Sequence, residues 1–211
     1  MSVDHLALDL AVTIRHDGHG GVADDLTDPS ALTSWVRARA GALRADLASW
    51  PHTAATFTAD AAVLGAAVEV RTAVRSLFAR AVLPGRPSSA DADRLPTARQ
   101  ALDRLNAAAA LVPVSPYLDW PQDGAPTSAR TVVGSPSAAD LLAAALARHA
   151  IGFLTGPDRD LLRACPAPRC VRYFVKEHAR QEWCKPSCGN RARVARHHAR
   201  QRAAGNGGDA S

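Results

Sequence analysis

All four cysteines of this 211-residue chain fall within one 24-residue window, spaced Cys165-x4-Cys170-x13-Cys184-x3-Cys188. Two close pairs of thiolates separated by a hairpin-length spacer are the donor set that tetrahedral zinc takes. Each pair carries turn residues: Pro166 and Pro168 inside the first, Pro186 inside the second, with Gly189 just after the last ligand. The spacer holds Val171, Tyr173, Phe174 and Val175, residue types that suit a strand folding the second pair back onto the first. Two disulfides or an iron–sulfur centre would use the same residues. A reducing compartment disfavours the first, and the second is the less common use of four thiolates. A redox pair would show Cys-x-x-Cys, which is absent. Four sulfurs leave no open coordination position, so the expected ion is one structural Zn2+ and not a catalytic one. His197 and His198 lie nine and ten residues past Cys188, roughly 13–15 Å along a helix and too far to compete. His178 is nearer, but the shell is already complete.

The segment after the last cysteine is the second group with a chemistry. From Cys188 to Arg202 it is rich in arginine and alanine, and nothing in it breaks a helix after Asn190. Arg193, Arg196 and Arg200 share one helical stripe, and Arg191, His198 and Arg202 form another. Ala192, Ala195 and Ala199 offer a narrow packing face. Arginine stays charged and holds phosphate oxygens in a bidentate fork. The candidate nucleic-acid contacts are therefore Arg191, Arg193, Arg196, His197, Arg200 and Arg202. Arg191 has a competing reading, because one turn from the ion it can brace a thiolate. Arg169, Arg172, Lys185 and Arg191 are placed to offset the net −2 charge of a four-thiolate zinc site. Tyr173, Phe174 and Trp183 could stack on unpaired bases, but more often such residues fill the core of a finger.

Charge is distributed to match. Residues 1–155 carry 13 Arg/Lys against 15 Asp/Glu, a net of −2, whereas residues 156–211 carry 12 against 5, a net of +7. A basic excess confined to the last quarter of the chain points to a polyanionic partner there. The start, Met1-Ser2-Val3-Asp4-His5, lacks the basic n-region of a secretory signal, and no run reaches the ~20 apolar residues of a membrane span. The expectation is a cytoplasmic protein with no membrane partner.

The rest of the chain must position this module. Hydrophobic residues make up 47% of the composition and aromatics only 5%, and the abundance of alanine favours packed helices. Leu6 to Ile14 could be a strand or an early helix. A glycine-rich connector follows at Asp17-Gly18-His19-Gly20-Gly21. Asp28-Pro29 reads as an N-cap with proline at the first helical position, opening a helix that buries Leu32, Trp35, Val36, Leu43 and Leu47 and ends at Trp50-Pro51. A second helix is expected from about Ala59 to Leu83, with Val63, Leu64, Ala67, Val68, Val74, Leu77 and Phe78 as its apolar stripe. A third runs from about Thr97 to Ala110, with Leu102, Leu105 and Ala109 inward. Val112–Val114 and Thr131–Val133 could pair as short strands. Ser135-Pro136 caps a fourth helix through Leu154, with Leu141, Leu142, Ala145, Leu146, His149 and Phe153 inward. The fold class is mainly α with minor β: a multihelical domain with a small β-hairpin over residues 1–156, a treble-clef or ribbon-like zinc finger ending in a basic helix over 157–204, and a disordered tail at 205–211.

The run Trp183-Cys184-x3-Cys188-Gly189-Asn190-Arg191-Ala192-Arg193 resembles the CGNR zinc finger family, and Cys165-x4-Cys170 with Tyr173-Phe174 fits the same pattern. The preceding residues resemble the ABATE domain at Leu8-Asp9-Leu10, Asp25-Leu26, Pro29, Leu32 and Trp35. The resemblance implies a bacterial stress-related transcription regulator, with RNA binding proposed as well, and makes Cys165, Cys170, Cys184 and Cys188 the zinc ligands. Two departures stand out: Val12-Thr13 where many relatives have Asn-Thr, and Lys176-Glu177-His178-Ala179-Arg180 where many have Asp-x-Ser-Arg. DNA is the favoured partner, with the helical domain sensing a signal or forming a homodimer. RNA binding is the first alternative and a protein-interaction module with purely architectural zinc is the second. No His-Glu-x-x-His, Gly-x-Ser-x-Gly or Walker-type loop is present, so no enzymatic activity is expected. The His16–Gly21 loop with Asp24 and Asp25 is the one other cluster of ligand-type residues; it could form a second metal or phosphate site, but a flexible connector is the favoured reading.

Overall fold

The computed structural model describes residues 5–19, 21–44, 46, 56–91 and 95–205. Seven α-helices and three two-stranded antiparallel sheets make up this part of the chain, so the molecule is mainly α with minor β. The expectations for Leu47, Trp50-Pro51 and the tail beyond residue 205 lie outside the described residues.

The ambiguous first segment resolves into both options in turn. Leu6–Ala11 is helix α1, and Ile14–His16 is strand β1, paired with β2 at Val22–Asp24. The glycine-rich connector is thus the tip of a tight hairpin. Asp17 Oδ1 accepts from the Gly21 and His19 amides, and His16 Nδ1 accepts from the Gly18 amide. Asp24 is held by Arg71 in a bidentate pair at 2.5 and 2.6 Å, with Thr13 Oγ1 accepting from the same guanidinium at 2.9 Å. Asp25 pairs with Arg15. The Asp24 pair anchors the hairpin to the helix that carries Arg71, and the Asp25 pair braces the hairpin within itself.

Helix α2, Pro29–Arg37, starts as expected, with the Asp28 carboxylate accepting from the Ala31 amide at 2.9 Å. It does not run on to Trp50. The chain breaks at Arg39, which donates to Asp9 at 2.8 Å and stacks over Trp35 at 4.5 Å, and resumes as a single turn, α3, at Ala40–Leu43. Helix α4, Ala61–Ala81, is capped by Asp60. It buries Val63, Ala67, Val74, Leu77 and Phe78, while Leu64 and Val68 are only partly buried. Helix α5, Ala98–Ala110, begins with a capping box between Thr97 and Gln100. Its buried positions are Ala101 and Leu105; Leu102 is 38% exposed, because it lies about 100° off the face that meets α4 and α6.

The hairpin after α5 is longer than its apolar residues suggested. Strand β3, Val114–Asp119, pairs with β4, Thr127–Val132, in the register Val114↔Val132. Helix α6, Ala138–Thr155, is capped by Ser137, whose Oγ accepts from the Asp140 amide, and not by Ser135. By length and composition α6 could cross a membrane. Here Leu142, Ala144, Ala145 and Ala147 are fully buried and the helix packs on α1, α4 and α5, so its apolarity is that of a core helix.

Strand β5, Leu162–Ala164, pairs with β6, Tyr173–Val175, and helix α7, Pro186–Gly205, follows. Leu162 and Tyr173 belong to the main core, alongside Leu10, Phe78 and Leu142. A second, smaller core surrounds the cysteines. The C-terminal module therefore shares packing with the helical domain instead of hanging from it.

Candidate metal centre and basic helix

The first cysteine pair sits on a knuckle between β5 and β6. The Cys165 amide donates to the Arg172 carbonyl and the Cys170 amide to the Ala167 carbonyl, both at 2.9 Å, which curls the chain around the two sulfurs. Arg169 takes φ 63°, the left-handed conformation that tightens this turn. The second pair brackets the start of α7: Cys184 lies two residues before the helix and Cys188 within it. Pro186 opens the first turn, where its missing N–H costs nothing, and Cys188, the third residue of α7, lies in the same turn. The helix thus begins before the last ligand, earlier than Asn190.

The sulfurs converge from these two elements. All four lie within 4.8 Å of one another. Cys170–Cys184, Cys184–Cys188 and Cys188–Cys170 are 3.7, 3.6 and 3.8 Å apart. A tetrahedron with Zn–S bonds of about 2.3 Å has edges of about 3.8 Å. The observed spacing fits a single tetrahedral ion. It is too long for disulfides, which need about 2.05 Å. Cys165, Cys170 and Cys188 are buried. Among the described residues no other group of His, Cys, Asp or Glu is arranged to hold a metal ion.

Hydrogen bonds from Cys170 and Cys184 pull Cys165 well below the ordinary thiol range, which favours its thiolate. Its hydrogen bond to that sulfur pushes Cys170 up to about 11, and its bonds to Cys165 and Cys170, with burial, push Cys184 higher still. A divalent cation held by the four sulfurs offsets the charge of their thiolates.

The remaining residues of the finger serve this shell. Arg191 folds back so that its Nη2 donates to Cys188 Sγ at 3.1 Å. It offsets thiolate charge, and of the six expected nucleic-acid contacts it is the one engaged inward. Phe174 is buried in the small core with Trp183 packed against it, and Tyr173 is 1% exposed; Tyr173 and Phe174 are interior residues, not stacking platforms. Gly189 lets Trp183 approach: a Cβ there would lie 3.0 Å from Trp183 Cδ1. Gly189→Ala gains about 1 kcal/mol of helix propensity but overpacks the ring at a cost of about 1–3 kcal/mol. The expected result is a finger that yields its metal to a chelator at lower concentration than the parent, measured by colorimetric competition.

Beyond Ala192, which is buried, the packing face fades: Ala195 is partly buried and Ala199 exposed. Arg193, Arg196, His197, Arg200 and Arg202 are all exposed. Arg193 donates to Asn190 Oδ1. Arg196, Arg200 and Arg202 face no carboxylate among the described residues.

Sequence reasoning missed the residues that seat the finger on the helical domain. Arg75 of α4, 3% exposed, donates to Asp91 Oδ1 at 2.7 Å and to the Ala11 carbonyl at 2.6 Å. Tyr173 of β6 donates to the other Asp91 oxygen at 2.6 Å. Ser88 Oγ donates to the Val171 carbonyl at 2.9 Å. Burial and the Asp91 charge push the Tyr173 hydroxyl far above its ordinary range, so it stays a donor. A helical pattern treats Arg71 and Arg75 as surface residues. The one available signal was their place on the side of α4 that also carries Val63, Ala67 and Val74.

A helical domain that seats a four-cysteine finger, whose last ligand opens a basic helix, defines a zinc-binding protein. Residues 162–201 match the CGNR zinc finger, and its cofactor is one structural zinc. Residues 4–157 match ABATE, described as "Putative stress-induced transcription regulator", and the chain belongs to that family. Both families are regulatory or zinc-finger families, not enzyme families. No curated protein matches the chain.

Proposed function

We propose that the protein is a cytoplasmic transcription regulator that holds nucleic acid, DNA in preference to RNA, on the exposed face of α7. Cys165, Cys170, Cys184 and Cys188 are its four zinc ligands, and the ion fixes the start of the helix. Residues 1–156 act as the sensing or dimerising part and residues 157–204 as the binding part. The observation that carries this reading is the exposed row Arg193, Arg196 and Arg200, flanked by His197 and with Arg202 exposed on the other side of α7, on a helix rooted in the metal shell. The last three arginines lack protein counter-charges, and phosphate oxygens supply them.

The test is binding of zinc-loaded protein to duplex DNA and to structured RNA over a salt series. Affinity should fall steeply with salt for the favoured polymer. Arg196→Ala should keep zinc and fold and flatten the slope of log K against log salt by about one unit. Binding to neither polymer at low salt would overturn the reading.

One observation favours a protein-interaction role beside it. The β3–β4 hairpin leaves Tyr117, Leu118 and Trp120 56%, 64% and 67% exposed, an apolar surface of the kind that meets another protein. A second copy of the chain is the simplest occupant, and sedimentation of wild type against Leu118→Asp/Trp120→Asp reports it: a dimer lost in the variant supports this role, and a monomer in both rejects it.

A further inference from the structure

Between the first cysteine knuckle and the turn that follows α4 lies an open groove of about 530 Å3. One wall is the knuckle itself, with Arg169 at its tip; the other is the segment from Val82 to Ser89, with Arg86; Arg163 of β5 closes the end. All three arginines are exposed, and no carboxylate is among the described residues that line the groove. Arg163 Nη1 is turned to the Asp160 and Leu162 carbonyls, which steadies the side chain without neutralising it. Arg86 and Arg169 have no ion-pair partner among the described residues. The floor between them is apolar and stiff, built from Val82, Pro87, Pro166 and Pro168.

Both walls are held in place. Gly85 permits the turn to close, because a Cβ there would meet the Val82 carbonyl at 2.8 Å. The knuckle is fixed by its two cysteines. Arg169 occupies a left-handed backbone conformation that glycine or asparagine would take with less strain, so the tightest point of the knuckle presents a cation. The Ser88–Val171 and Tyr173–Asp91 hydrogen bonds lock the two walls to each other.

We propose that this groove is a second phosphate-binding surface, by which the helical domain and the finger together grip a nucleic-acid strand. Three cations around a proline-rich floor suit a phosphodiester segment: phosphates on the arginines, sugar and base edges on the apolar rings. The inference rests on the nucleic-acid reading above and extends it, since α7 is then one of two contact regions. The same chemistry would serve a free phosphorylated small molecule, and the experiment separates the two sources.

Three double variants of the full-length, zinc-loaded protein are compared in the salt series: Arg86→Ala/Arg169→Ala in the groove, Arg196→Ala/Arg200→Ala on α7, and Arg99→Ala/Arg104→Ala on α5 as a control that removes the same charge elsewhere. The groove variant should keep one zinc per chain and lose about two units of salt slope, as the α7 variant does, while the control keeps the parental slope. Arg86→Lys/Arg169→Lys should restore most of it. A groove variant with the affinity and slope of wild type would overturn the inference and leave the role of α7 standing. Tripolyphosphate, followed by backbone-amide NMR at Gly85, Arg169 and Cys170, serves as the small-molecule probe. If wild type binds neither polymer yet tripolyphosphate shifts those amides, the groove is a phosphate site for a small molecule and the nucleic-acid reading fails. Silence in both arms overturns both.

Discussion

Cys184→Ser should strip the metal from the protein, unfold residues 165–202 and, by withdrawing Tyr173 from the main core, destabilise the helical domain without unfolding it. The module has a small core of its own, Ala167, Phe174 and the cysteines with Trp183 against them, too little to hold some forty residues without an ion. Binding energy and folding energy are therefore one quantity there, and for structural zinc sites it runs to about 10–16 kcal/mol. Serine keeps the volume of the side chain but not a thiolate, and the shell drops to three sulfurs. Metal content near zero, early protease cleavage within 165–202 and loss of salt-dependent binding are the expected outcomes. Zinc retained at one equivalent by this variant would contradict the ligand assignment.

Asp91→Ala should be the most damaging single change outside the metal shell. It leaves Arg75 charged, 3% exposed and without a counter-ion, and takes the acceptor from the Tyr173 hydroxyl at the same time. Removing one partner of a buried ion pair costs about 3–5 kcal/mol, a large share of the stability of a domain this size. The seat of the finger should loosen with it. Denaturant unfolding should show a lower midpoint, and hydrogen exchange should speed up at Val171 to Val175 before it does in α6. Tyr173→Phe, which spares the ion pair and removes one hydrogen bond, should cost only about 1–2 kcal/mol. Equal effects of the two substitutions would mean that the Arg75–Asp91 pair is not what anchors the finger.

The cysteine shell was legible in the sequence because its signal is local. Ligand spacing, turn prolines and Gly189 all lie within some 25 residues, and each has one dominant physical use. The start of α2 was legible for a similar reason, since Asp28 accepts from an amide of the first turn of the helix it opens; Asp60 and Thr97 do the same for α4 and α5. What the sequence hid is non-local. Whether Leu6 to Ile14 was helix or strand depended on β2, since β1 exists only in its pairing with Val22–Asp24. Arg39 breaks the first long helix because Asp9, thirty residues earlier, offers a better partner than the next helical turn. Arg71 and Arg75 look like solvent-facing residues until Asp24 and Asp91 are brought against them. The union of finger and helical domain into a shared core follows from those pairs, with Leu162 and Tyr173 as its apolar part.

The proposed nucleic-acid grip depends on the metal, which would fix the knuckle that carries Arg169, the first turn of α7 and, through it, the arginine row. X-ray absorption at the zinc edge of purified, reduced protein, with metal quantified per chain, addresses that directly. The account predicts one zinc per chain bound by four sulfurs at about 2.3 Å. Protein folded throughout residues 165–202 with no stoichiometric metal, or zinc bound through oxygen and nitrogen, would contradict it.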